Sequence, residues 1–264
     1  MPLALEHIRR MRGGAQAHLM RCSDGYYVVK FQNNPQHPRI LANELLGTQL
    51  AARLGLLTPS AAVIEVRPEL IEYTADLVIQ VGTARTPCRA GLQFGSRYPG
   101  NPAQVTVEDF LPDGRLCEVE NIAEFLGMLV FDKWTCNTNG RQVIFFLEPG
   151  RSRYQALMID QGFCFNAGDW TFPDAPLRGL YARHRVYELV RGMKSFEPWL
   201  ERVENQITEG VLDEVAKGIP PEWYNFDQEA LFRLLERLYR RRKQVADLIL
   251  AAKDSGRQPF LNWK

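Results

Sequence analysis

The chain has 264 residues, of which 45% are hydrophobic and 24% charged, with a net charge of +1. This is the composition of a globular protein that can fill a core without a metal or disulfide staple, and its charge balance argues against nucleic acid or an anionic membrane as partner. Five cysteines with no C-x-x-C pair argue against a disulfide framework or a zinc site.

The opening MPLALEHIRRMRGG has an apolar run too short for a secretory leader. No stretch approaches the roughly 18 apolar residues of a membrane span. A soluble, cytoplasmic protein is expected.

In chain order, HLMRC, Ser-Asp-Gly and YYVVKF predict a hairpin ending at Lys30. PRILANELLGTQLAARLG predicts an amphipathic helix stopped by Gly55. TPSAAVIEV predicts a strand, LIEYTADLVIQV fits helix or strand, and residues 82–104, rich in Gly and Pro, predict strands joined by loops. VTVEDFLP predicts a strand running into a proline-ended connection.

From Glu118 to Phe131 the apolar spacing turns helical, and FDKWTCNTNG follows as a polar turn. QVIFFLE and YQALMID predict a strand pair. Beyond Trp170, HRVYELVRGMKSFEPWLERVENQ and EALFRLLERLYRRRKQVADLILAAK predict long helices. The expected fold class is α+β and bilobal. A β-rich N-terminal lobe with one key helix (residues 1–112) precedes a mostly helical C-terminal lobe (residues 113–264), with the boundary at Pro112-Asp113-Gly114.

Four polar features fall in a fixed order. Gly13-Gly14-Ala15-Gln16 stands before the hairpin, where main-chain N–H groups without a Cβ in the way can approach a phosphate. Lys30 ends a strand, and Glu44 on the next helix can orient its ammonium. Asp132 and Asn137 lie five positions apart, a carboxylate that can accept a hydroxyl proton and an amide that can ligate Mg²⁺. Asp160 follows an apolar strand and precedes Gln161-Gly162, a place for a metal ligand. Each alone has a plain alternative: a turn, a pair of solvated charges, a cap. Their order is that of protein-kinase-like phosphotransferases.

With those residues in place, the sequence resembles the HipA-like kinases, a bacterial branch of the protein-kinase-like fold, from about residue 10 to about residue 250. GGAQAHL is similar to that family's phosphate loop, NELLGTQLAARLGLLTPS to its first-lobe helix and following strand, VEDF to its hinge, and IPPEWYNFDQEAL to a C-terminal Ile-Pro-x-x-Trp turn. The resemblance implies ATP and Mg²⁺ as cofactors. It implies phosphates under Gly13, Gly14, Ala15 and Gln16, and held by Lys30 with Glu44 orienting it. Adenine would lie against main-chain groups of Glu108 and Phe110, with Asp132 as catalytic base and Asn137 and Asp160 as metal ligands. Lys133 stands where a basic neighbour assists the γ-phosphate in related loops.

Two positions depart from the family pattern: Trp134 replaces a histidine, and His18 stands near the phosphate-loop lysine. Trp134 is expected to pack on a neighbouring helix, or else to meet substrate. The basic residues Arg178, Arg183, Arg185, Arg191 and Lys194 are expected on a solvated face, or facing an acidic substrate, and RRRK at 240–243 is expected to face solvent. The implied activity is serine/threonine phosphorylation of a protein substrate. A pseudokinase scaffold, a kinase of a small molecule or lipid, and an AMP transferase remain as alternatives. Oligomeric state is not legible in the sequence.

Overall fold

The computed structural model describes residues 1–264. The strands and helices run β1 (Ala4–Arg10), β2 (His18–Cys22), β3 (Gly25–Lys30), α1 (Ile40–Arg53), β4 (Ala61–Val66), α2 (Pro68–Glu72), β5 (Val78–Val81), β6 (Ala84–Pro87), β7 (Gly91–Arg97) and β8 (Thr106–Glu108). They continue with α3 (Glu124–Thr135), β9 (Gln142–Leu147), β10 (Gln155–Ile159), α4 (Glu197–Gln206), α5 (Glu209–Lys217), α6 (Gln228–Arg241) and α7 (Val245–Lys253). Mixed α+β content is the expected class. The segment 68–81, open between helix and strand in the sequence, splits into α2 and β5. No helix is long and apolar enough to cross a membrane.

Five strands form an antiparallel sheet in the order β1-β2-β3-β7-β4. Its outer edges approach each other where Leu3 bridges Glu65 in parallel. The β2–β3 hairpin turns at Ser23-Asp24, with Cys22 opposite Gly25, as its turn residues predict. Inside the curled sheet lies a small core of Met20, Tyr27, Val29, Phe31 and Ile64, extended by Leu77, Ile79 and Cys88. A second antiparallel sheet, β10-β9-β8, pairs Val107 with Phe146 and Gln142 with Ile159.

Helix α1 is not amphipathic as predicted: eleven of its fourteen residues are buried, including Asn43, Glu44 and Thr48. It lies in the main core between Phe94 of β7 and Val215 and Trp223 of the helical part, so only Gln49, Ala52 and Arg53 toward its end reach solvent. The Ile-Pro-x-x-Trp turn closes the same seam, because the buried Trp223 Nε1 donates to the Leu92 carbonyl at 3.0 Å.

Two predicted helical stretches are altered. Residues 184–195 form only short 3-10 turns, and α4 begins at Glu197. Pro198 stands in the first turn of α4, where it lacks no needed N–H; deeper in a helix it would break one hydrogen bond and clash with a carbonyl. The helix ending near Phe131 instead continues to Thr135 and stops at Cys136 in the left-handed conformation, so Asp132 occupies its last turn.

The solvent-facing expectation for residues 240–243 holds for Arg240 and Lys243 but not for Arg241 and Arg242, which are buried. Arg241 grips both Asp174 oxygens at 2.7 and 2.8 Å and donates to the Lys133 and Trp134 carbonyls at 3.0 Å each. Arg242 donates to the carbonyls of Glu204 and Ile207. Both satisfy main-chain oxygens between helices, a task that a charge pattern along one helix does not reveal.

Candidate active site

Three of the residues singled out in the sequence meet in one buried group. Lys30 leaves the end of β3, Glu44 projects from α1 and Asp160 follows β10. The Lys30 ammonium donates to Glu44 Oε1 and, at 2.7 Å, to Asp160 Oδ1. Glu44 also accepts the main-chain N–H groups of Gln161 at 3.0 Å and Gly162 at 2.9 Å, so the same carboxylate orients the lysine and anchors the turn after Asp160. A Cβ at 162 would lie 2.6 Å from Ile40 Cγ1, which is why glycine stands there. Asp160 is held at φ 62°, an uncommon value for a non-glycine residue and a frequent mark of functional positions.

Electrostatics follow from burial and pairing. Burial disfavours the charged lysine, but Glu44 and Asp160 more than offset it and hold Lys30 above its ordinary pKa. Burial pushes the Glu44 carboxyl up to about 7 against the pull of Lys30. At Asp160 burial also acts upward, yet Lys30, hydrogen bonds and Arg141 hold the carboxyl below its ordinary value. The group therefore keeps a charged lysine between two carboxyls of unequal acidity.

A second buried group surrounds Asp132, whose side chain is 0% exposed. Asn137 Nδ2 donates to Asp132 Oδ1 at 3.0 Å. Arg141, at the start of β9, donates from Nε to Asp132 Oδ2 at 2.8 Å and from Nη2 to Oδ1. Its Nη1 reaches the carbonyl of Ile159, the residue before Asp160, at 2.7 Å. Arg141 was not singled out in the sequence: one arginine after an Asn-Gly turn has no periodicity or motif to mark it. Asn137 Oδ1 accepts the Asn139 N–H at 3.1 Å, which fixes the turn.

Lys133, one step along α3, points elsewhere: its ammonium donates to the carbonyls of Pro176 at 2.6 Å and Ala175 at 3.4 Å. Burial lowers its pKa to about 8, with Asp132 and Asp174 opposing. Trp134 packs edge-on against Phe131 and donates to the Leu238 carbonyl at 2.9 Å, in the core as the packing alternative predicts. Gly179 packs against Asp132, and a shallow cleft of about 240 Å³ runs between Ala175, Leu177, Arg178 and Gly179 on one side and Thr138, Asn139 and Gly140 on the other.

The remaining candidates lie at the edges. Gly13, Gly14, Ala15 and Gln16 form the turn between β1 and β2, closed by Gln16 N–H to the Gly13 carbonyl at 3.1 Å. The Gln16 side chain is tied to the main chain of Gln80 at 2.6 and 2.8 Å, which braces this turn against β5. His18 does not face the turn. It is buried against Phe31, with Nδ1 3.0 Å from His7 Nε2, and burial with the neighbouring His7 and Arg10 lowers its pKa to about 4. Glu108 ends β8 and is exposed; Phe110 is 60% exposed, beneath the Arg183 guanidinium at 4.6 Å from the ring centroid.

The donor set suits a hard cation shared with a phosphate. Asn137 and Asp160 offer oxygen ligands, while no cluster of three or more His, Cys, Asp or Glu side chains could hold a metal alone. Magnesium characteristically takes one or two protein oxygens and completes its shell from phosphate and water.

The chain is similar in structure to a proinflammatory kinase from Helicobacter pylori, CtkA, with a TM-score of 0.55 at 13% identity over 91% of this chain and 96% of that one. It is similar to a Golgi casein kinase crystallised with Mn/ADP (TM-score 0.54, 12% identity, 96% and 74% covered) and to hydra Fam20 with sugar (0.57, 12%, 96% and 86%). At these identities the likeness shows a shared kinase-like, bilobal fold. No curated protein matches the chain in sequence. The family model of the HipA-like kinases matches residues 5–247, and the chain belongs to that family.

Proposed function

We propose that this HipA-like kinase is an ATP- and Mg²⁺-dependent phosphotransferase acting on a serine or threonine hydroxyl of a protein. The observation that carries the nucleotide site is the buried Lys30–Glu44–Asp160 group, which joins residues from β3, α1 and the end of β10. A lysine held between two carboxylates is a costly arrangement for stability alone, and its chemistry is that of gripping phosphate oxygens beside a metal. The crystallisation of the similar Golgi casein kinase with Mn/ADP supports the use of nucleotide and divalent cation.

In this reading Lys30 binds the ATP phosphates, and the N–H groups of Gly13, Gly14 and Ala15 cover them, in the turn that Gln16 closes. Main-chain groups of Glu108 and Phe110 bind the adenine. Asn137 and Asp160 hold Mg²⁺, which supplies positive charge against the phosphate oxygens when bound. Asp132 orients the acceptor hydroxyl. The hydroxyl oxygen bonds to the γ-phosphorus as the bond from that phosphorus to the bridging oxygen of ADP breaks, and the hydroxyl proton passes to Asp132. Positioning and electrostatics account for the rate. Lys133, bound to carbonyls of the 175–180 segment, supports that segment in this arrangement.

One observation favours a second reading. The complete burial of Asp132, with Gly179 packed against it, is compatible with a nucleotide-binding scaffold that performs no transfer. Binding of ATP with and without Mg²⁺, to wild type and Asp160→Ala, tests the site: Mg²⁺-dependent binding lost in the variant is expected, and a folded wild type that binds no nucleotide overturns the proposal. Transfer of the γ-phosphate separates enzyme from scaffold.

A further inference from the structure

We propose that Arg141 is the positioning residue of the candidate catalytic carboxylate, fixing Asp132 in place and leaving a single lone pair, on Oδ2, for the acceptor hydroxyl. The inference rests on the phosphotransferase reading above and concerns a residue to which that reading gives no role.

A carboxylate offers about four lone-pair sites, two on each oxygen. Asp132 Oδ1 receives two donors, Asn137 Nδ2 at 3.0 Å and Arg141 Nη2, and is full. Oδ2 receives one, Arg141 Nε at 2.8 Å. One acceptor site remains, with a direction set by the guanidinium plane. A fork of parallel N–H groups fixes a carboxylate in rotation as well as position, which a single ammonium cannot do.

The other end of the same guanidinium is anchored across the site. Gln142 pairs with Ile159 in the β9–β10 ladder, so Arg141 stands beside Asp160. Its Nη1 donates to the Ile159 carbonyl at 2.7 Å. One side chain thus spans the residue expected to meet the acceptor and the strand end that carries the residue expected to meet the metal. For in-line transfer those two must keep a fixed separation, and Arg141 supplies a rigid link between them.

Stability alone does not explain the pair. Both side chains are almost wholly buried, at 1% and 0% exposure, and a buried ion pair is commonly no more stabilising than apolar residues of the same volume.

The test is a double-mutant cycle on the full chain, read as turnover of Mg-ATP with water as acceptor. Arg141→Lys is expected to lower kcat about 100-fold, the scale of a 1 Å misplacement, while KM for ATP changes less than about twofold. Arg141→Gln, which keeps one amide donor, is run in parallel so that misfolding of one variant does not remove the test. In the Asp132→Asn background either Arg141 change is expected to cost little more, because its effect passes through Asp132. Wild-type kcat in both Arg141 variants overturns the assignment, and so does an equal further loss in the Asp132→Asn background, which marks a structural role. Full turnover by Asp132→Asn itself overturns the reading of the site, and the Arg141 assignment with it.

Discussion

Gly179 lies directly against Asp132: a Cβ at position 179 would stand 2.4 Å from Asp132 Cβ, and the glycine is held at φ +76°. The end of α3 and the 175–180 segment therefore meet at their closest where the candidate catalytic carboxylate sits. The contact makes the segment's fit depend on the absence of one methyl group.

Gly179→Ala should destabilise the protein by about 2–4 kcal/mol, combining the left-handed backbone penalty with overpacking against Asp132. Chemical denaturation of wild type and variant measures it. An unchanged midpoint would mean that the segment is not seated on Asp132.

Lys133 holds the same segment through the Ala175 and Pro176 carbonyls. Lys133→Met should speed hydrogen exchange at amides 174–180 by at least tenfold while leaving the strands of the five-stranded sheet unaffected. Burial lowers the lysine pKa to about 8, below the unfolded value of 10.5. Between those values the unfolded chain binds more protons, so this group makes stability rise with pH over that window, and the variant should lose that rise.

Neighbouring arginines on one helix should respond very differently. Arg240→Ala removes an exposed pair with Glu236 and should cost under about 0.5 kcal/mol. Arg241→Ala leaves Asp174 and two carbonyls without their donor and should cost about 3–5 kcal/mol. Thermal and urea melts of the two variants decide it. Equal effects would mean that Arg241 is solvated.

His18 should make the protein acid-sensitive. Its pKa is lowered from 6.5 to about 4, first by burial and then by His7 and Arg10. The unfolded chain takes up a proton between those values when the folded chain does not, so this contribution is complete above pH 6.5 and is lost as pH falls toward 4, by about 3 kcal/mol in all. His18→Phe should flatten stability against pH over that window. A slope equal to wild type would assign the acid sensitivity to other groups.

The local features of the chain were legible where the signal was local. The Ser-Asp-Gly hairpin and the strand pair 142–159 follow from turn residues and alternation, while Lys30, Glu44, Asp132, Asn137 and Asp160 are drawn together by their resemblance to the order of protein-kinase-like phosphotransferases. Residues 184–196 misled because helical spacing persists through a segment that Pro198 prevents from joining α4. The polar stretch after Phe131 looked like loop, but α3 is buried on every side and continues through Asp132 to Thr135 regardless of polarity.

What the sequence by itself determined was the local elements, because strand and helix periods and turn chemistry act over a few residues, and the order of five polar candidates, because that order is similar to a known family's. What only the tertiary structure decided was which charge meets which. Lys30 meets Asp160 from 130 positions away, Arg241 meets Asp174 from 67, and Arg141 closes on Asp132 across a nine-residue turn. An arginine in a sequence has no mark of its partner. Its value depends on the dielectric around it and on the donors and acceptors within reach, and both come into being only when distant segments pack.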